Sequence, residues 1–335
     1  MWRVTLIALA IAAAFAPIPA DFVEQQYSSR AYPALQRTIT DVSNALPFAC
    51  FDLFLVGTFV LLLVLLLRRG RILNVLALLA FVWLLFLTLW GLNYRRVPLS
   101  EKLPFDERRL TVENVTRMAR AAVMQMNRLH TPAHADPARS LEELASALAP
   151  AMETAARQLK IEPPLPSRPK QTWLAPYFRR AGIDGMTDPF FLETFLVPNL
   201  LDVEQPAALA HEWGHLAGLA DESEASFFGW LTCLAGDAPA KYSGWIALYP
   251  HLLAAVPEAG RASIQKQLAP GPRQDYERIA ARLSETNERI RSAANTTYDK
   301  FLKANRVAAG IESYDAVVRL AVGVQLPNGF SPPGK

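Results

Sequence analysis

The apolar positions of this chain crowd into its first ninety-odd residues and then thin into a periodic pattern. The run VTLIALAIAAAFAPIPA follows Arg3 and ends at Pro17, Pro19 and Ala20, the layout of a membrane anchor or a secretion signal. LFLVGTFVLLLVLLL (53–67) and ILNVLALLAFVWLLFLTLWGL (72–92) contain no charge. With their flanks, each is long enough to cross about 30 Å of hydrocarbon as a helix. The intervening RRGR is an arginine-rich turn that the positive-inside rule assigns to the cytoplasm. Counting crossings from Arg3 then puts residues 21–47 and everything after about Trp90 outside, with Arg95 and Arg96 counting weakly the other way. The pattern predicts a membrane region over 1–95, with an anchor or signal segment at 4–20 and transmembrane helices at about 50–67 and 72–92. An extracytoplasmic domain follows over 96–335.

Beyond Val97 the periodicity is helical. LTVENVTRMARAAVMQMNRL and SLEELASALAPAMETAARQL carry apolar residues at helical spacing, the second opening on a Ser140 cap. From Ile161 to Asn199 prolines, glycines and the run PFFLETFLVPNL predict a few short strands, the last of them at a sheet edge where an extended peptide would pair. Helices return after Asp202, including one long polar helix through YERIAARLSETNERIRSAANTTYDKFLKAN and a last one at SYDAVVRLAVGVQ. The expected fold is mainly α with a small β-sheet behind an N-terminal transmembrane region.

One helical stretch carries chemistry. In PAALAHEWGHLAG, Pro206 suits a first helical turn and Gly218 a left-handed cap. His211 and His215 therefore share a face, and two imidazoles at i and i+4 converge on one metal. Glu212 lies about 100° further round, within reach of a water on that metal. Zinc lowers the pKa of such a water to about 7, and a neighbouring glutamate takes its proton.

A third ligand comes from Asp221, Glu222 or Glu224. Asp221 fits the metzincin spacing, but that arrangement needs a downstream methionine turn and no methionine follows Met186. In the gluzincin arrangement the ligand is a glutamate at the start of the next helix. DESEASFFGWLTCLAG reads as that helix, with Asp221 as N-cap and Glu224 as its capping-box partner. Glu222 is then free to face the metal, with Ser226 one turn on to orient a ligand. Tyr242, His251, Tyr298 and Tyr314 are the candidates to stabilise an oxyanion. His130 and His134 repeat the four-residue spacing around Pro132, which predicts a loop rather than a second metal site.

Composition narrows the classes. A net charge of +3 over 335 residues, with no basic stripe, excludes a nucleic-acid footprint. Cys50 and Cys233 cannot form a disulfide framework, and each sits in an apolar run that suits a buried thiol.

The segments VEQQYSSRAYPALQR, LWGLNYRRVPL, PFFLE, HEWGHLAGLADESEASFFGWLTC, YSGWIALY and YDKFLKANRVAAGIESYDAVVRL together resemble a bacterial family of membrane-anchored, zincin-like proteins of gluzincin type. Within that pattern Glu222 and Glu224 match glutamates, Asp221 stands where a basic residue is expected and Ser226 where an Asn is. The spacing from Glu222 to Ala225 is also similar to the third-ligand segment of membrane gluzincins that process CAAX proteins. The resemblance implies a zincin-like catalytic domain and a zinc metallopeptidase. Its Zn2+ would be held by His211, His215 and Glu222, Glu212 would be the base, and protein or peptide substrates would be cut outside the cytoplasmic membrane. The alternative is a non-catalytic, zinc-stabilised module that binds envelope partners. An intramembrane protease fits less well, because polar turns rather than apolar sequence flank the HEWGH helix.

Overall fold

The computed structural model describes residues 1–305, 307 and 316–326, and these are mainly helical with one small mixed sheet. Side chains that accept the unpaired first amides open the principal helices. Thr111 precedes Val112–Ala133, Ser140 forms a reciprocal box with Glu143 before Leu141–Gln158, and Asp221 precedes Glu222–Ala235. The second box, expected between Asp221 and Glu224, does not form: the Glu224 carboxylate instead accepts the Leu99 amide at 2.6 Å.

Two other helical expectations change. The long polar helix is broken into Pro270–Ser284 and Glu288–Ala304, because the Asn287 side chain accepts the Arg289 and Ile290 amides and starts a new helix. The helix from Val112 runs through Pro132 into the segment expected to be a loop. A proline so near a helix end removes one backbone donor without preventing the last turn. His130 is therefore helical and His134 is the C-cap.

The proline-rich stretch forms β1 (Pro169–Lys170), β2 (Gly185–Thr187) and β3 (Thr194–Leu196). Their order is β1-β3-β2, with β3 parallel to β1 and antiparallel to β2. The strand expected at the edge is thus the central one, buried and paired on both sides, and β1 and β2 form the edges. Asp188 shapes the β2–β3 turn by accepting the amides of Phe190, Phe191 and Glu193. Cys233 is buried and Cys50 half-buried, both as free thiols.

Trp213, Trp245, Tyr242, Phe227 and Phe228 are fully buried in one hydrophobic cluster, which also takes in Tyr32, Phe86, Leu87 and Trp90. The core therefore continues across residue 95. Among the described residues, Arg71–Leu89 is the one helix long and apolar enough to cross a membrane. Cys50–Leu66 is apolar but shorter, and Trp2–Phe15 meets helical Ala20–Asn44 at a 109° bend. Phe15, Phe59, Leu67, Ile72 and Leu79 on these elements are exposed. The helix Cys50–Leu66 docks its first amides on the Glu193 carboxylate at 3.0 Å, an anion placed at the positive end of a helix dipole.

Candidate metal centre

The helix Gln205–Leu216 carries both histidines, with Pro206 in its first turn, and Gly218 follows it at φ 76°. Leu209, Ala210, Trp213 and Leu216 are fully buried and fix its rotation. Glycines set its distance from the helix Glu222–Ala235. A Cβ on Gly214 would meet Ala225 Cα at 2.9 Å, and one on Gly229 would meet the His211 backbone nitrogen at 2.9 Å. Larger residues at either position would hold the two helices apart.

This close crossing brings three donors together. His211 Nε2 lies 3.2 Å and His215 Nε2 3.5 Å from the same atom, Glu222 Oε2, which has no hydrogen-bond partner. Donors on one tetrahedral zinc, each about 2.0–2.2 Å from it, stand about 3.3–3.5 Å apart. His211 Nδ1 is 3.1 Å from Ser226 Oγ, as Ser226's position one turn after Glu222 suggested, and His215 Nδ1 donates to the Leu219 carbonyl at 2.8 Å. Such outer contacts orient imidazoles and leave each Nε2 for a metal. The donor set, its spacing and the orphaned carboxylate oxygen all fit Zn2+.

The electrostatics of the trio are polarised. Burial alone would raise Glu222 and lower His215, but their contact reverses both: Glu222 is held well below the usual carboxylate range and His215 is lifted to about 9. Glu212 is buried next to them, and that burial pushes its carboxyl upward against the pull of His211 and His215. Its Oε2 has no hydrogen-bond partner. The edge strand β2 runs alongside: Thr187 Oγ donates to the Glu212 carbonyl at 2.9 Å, and a Cβ on Gly185 would stand 2.8 Å from Glu212 Oε1.

The other candidates separate. Asp221 is a helix cap, accepting the Ser223 and Glu224 amides, and burial raises Glu224 to about 7 while it holds Leu99. Tyr298 donates its hydroxyl to Glu222 Oε1. Tyr242 lies on Asp275 instead, His251 belongs to the helix Ala238–Ala255 without joining the trio, and Tyr314 lies outside the described residues.

Three aromatic residues hold positions around the site that the sequence assigned to none of them. Tyr94 stands within hydrogen-bonding reach of Tyr298, its hydroxyl pKa raised by burial and by the Glu222 charge. Tyr32 Oη donates to the Leu216 carbonyl at 2.9 Å and Trp90 Nε1 to the His215 carbonyl at 3.0 Å. Trp90 directly follows the apolar helix Arg71–Leu89, so the histidine helix hangs on the end of that helix.

Fold and site define a mainly helical protein whose core holds a His-His-Glu cluster beside a buried glutamate. The family model for a protein of unknown function, DUF3810, matches residues 27–322, and the chain belongs to that family. No curated protein and no solved structure matches it.

Proposed function

We propose that the protein is a membrane-anchored, zinc-dependent metallopeptidase with a zincin-like catalytic domain of gluzincin type. It hydrolyses peptide bonds of protein or peptide substrates on the extracytoplasmic side of the bacterial cytoplasmic membrane. The observation that carries this reading is the convergence of His211 Nε2 and His215 Nε2 on an otherwise unpaired Glu222 oxygen, with the Glu212 carboxylate buried beside them.

These three residues would hold Zn2+, which would supply a Lewis acid and a water acidified to a pKa of about 7. Glu212, desolvated and with one oxygen free of hydrogen bonds, is placed to accept a proton from an attacking water and to return it to the leaving amine. Tyr298 holds Glu222 by its second oxygen and fixes the carboxylate's orientation. The edge of β2, next to Glu212, offers backbone groups to an extended substrate.

The exposed apolar helices and the arginine turn support membrane insertion with that turn in the cytoplasm. Arg95 and Arg96 weigh little against this orientation, because both work inside the protein. Arg95 donates to the carbonyls of Ala13 and Ala14, and Arg96 grips Glu24 and the Gly218 carbonyl. A reporter active only outside the cytoplasm is expected to work when fused after Lys335 and to be silent when inserted at Gly70. The reverse pattern overturns the orientation.

Glu212→Gln tests the chemistry. The purified full chain should keep near-stoichiometric zinc while cleavage of a peptide library falls about 10²–10⁴-fold. Cleavage that survives the substitution removes Glu212 as base. Zinc with no turnover in the unaltered protein favours the binding module.

A further inference from the structure

A second set of donors, sharing no residue with the first, meets at one atom. His130 Nε2 lies 3.6 Å and His134 Nε2 3.2 Å from Asp275 Oδ2. The carboxylate is buried and both rings reach the surface in part. The two separations bracket the about 3.3–3.5 Å expected of donors on one tetrahedral ion.

The hydrogen bonding around these atoms leaves room for a cation. His134 Nδ1 is 2.8 Å from the His130 carbonyl, which only accepts, so Nδ1 carries the hydrogen. A neutral His134 then turns a bare Nε2 lone pair onto a carboxylate oxygen, and the two repel unless a positive species lies between them. Tyr242 donates at 2.7 Å to Asp275 Oδ2, the oxygen the rings face, whereas Tyr298 holds Glu222 by its other oxygen, and Arg278 lies 3.6 Å from Asp275 Oδ1. The His130 ring packs on Gly271, where a Cβ would fall 2.4–2.6 Å from its atoms.

We propose that His130, His134 and Asp275 bind a divalent metal ion, Zn2+ by the donor set, which clips the helix Pro270–Ser284 to the end of the helix Val112–Ala133. Two imidazoles and one carboxylate suit zinc better than the all-oxygen preference of Ca2+ or Mg2+. The residue after the first histidine is Thr131, with no carboxylate to act as base, so the ion is structural. A protonated His134 paired with Asp275 is the metal-free rival, and the test separates the two.

The full chain, purified without a polyhistidine tag and stripped with chelator, is titrated with Zn2+ and its bound metal measured. Two equivalents are expected in the unaltered protein. One is expected in Asp275→Asn, in His134→Ala and in His211→Ala, and none in His211→Ala/Asp275→Asn. Gly271→Ala removes no donor but displaces the His130 ring, and should weaken the second equivalent by about tenfold or more. It carries the test if the ligand variants fail to fold. Chelator should lower the melting temperature of His211→Ala and leave that of His211→Ala/Asp275→Asn unchanged. A single equivalent, lost in His211→Ala and indifferent to Asp275→Asn and Gly271→Ala, overturns the inference. A single equivalent with the opposite dependence overturns the first site instead.

Discussion

The two histidine pairs of this protein share a four-residue spacing but differ in ring arrangement, edge-on for His211 and His215 and stacked for His130 and His134, and in surroundings. Each pair is spaced by four residues and faces a carboxylate supplied by another helix, at 3.2 and 3.5 Å in one case and 3.6 and 3.2 Å in the other. Each carboxylate is held by a tyrosine hydroxyl. What also differs is the residue after the first histidine. Glu212 puts a buried carboxylate beside the first cluster, and Thr131 puts none beside the second. The first pair also lies in a helix packed on all sides, beneath a strand edge, whereas the second ends a helix at the surface. On the proposed reading, ligand geometry alone does not make a hydrolytic site; a neighbouring carboxylate and a strand edge for the substrate set the first cluster apart.

Substitutions in the first cluster break the comparison in graded steps. Glu222→Ala removes a ligand, and zinc affinity there should fall more than about 100-fold, beyond the 10–100-fold typical of an orienting partner, as read by titration in a Asp275→Asn background. Gly229→Ala leaves every ligand in place but forces a Cβ against the His211 backbone. It should destabilise the fold by about 1–3 kcal/mol in chemical denaturation and weaken zinc binding in the same titration. Ser226→Ala deletes the contact to His211 Nδ1 and should cost about tenfold in affinity with little loss of stability. Asp221→Asn should change zinc binding least, because Asn caps a helix about as well as Asp and the cap as a whole is worth about 1 kcal/mol. Zinc lost on Asp221→Asn but kept on Glu222→Ala would hand the third-ligand role to Asp221.

Most of the first cluster was legible because its logic is local. A four-residue spacing on one helix, an N-cap at Asp221, and Glu222 and Ser226 one turn apart on the next helix follow from helical geometry. The second cluster was not legible. His134 and Asp275 lie far apart in sequence, and Pro132 between the histidines reads as a break although the helix reaches Ala133. Strand position misled for a similar reason: β3 looks like an edge from its own residues, and only its pairing with both β1 and β2 makes it central. Arg95 and Arg96 count in sequence against the orientation until the fold sets one on the end of the first helix and the other between Glu24 and Gly218.

The sequence by itself determined the helix starts at Ser140 and Asp221, that His211 and His215 share a helix face with Glu212 beside them, and that the first ninety-odd residues are rich in apolar runs. Each of these depends on residues within one or two turns of one another, where backbone geometry leaves few choices. Tertiary structure decided that Tyr298, among the three described oxyanion candidates, reaches Glu222, that Tyr32 and Trp90 bind the histidine helix to the apolar region, and that Asp275 meets the second histidine pair. Those contacts join elements distant in the chain, and their partners are fixed by how buried surfaces pack, which no local spacing records.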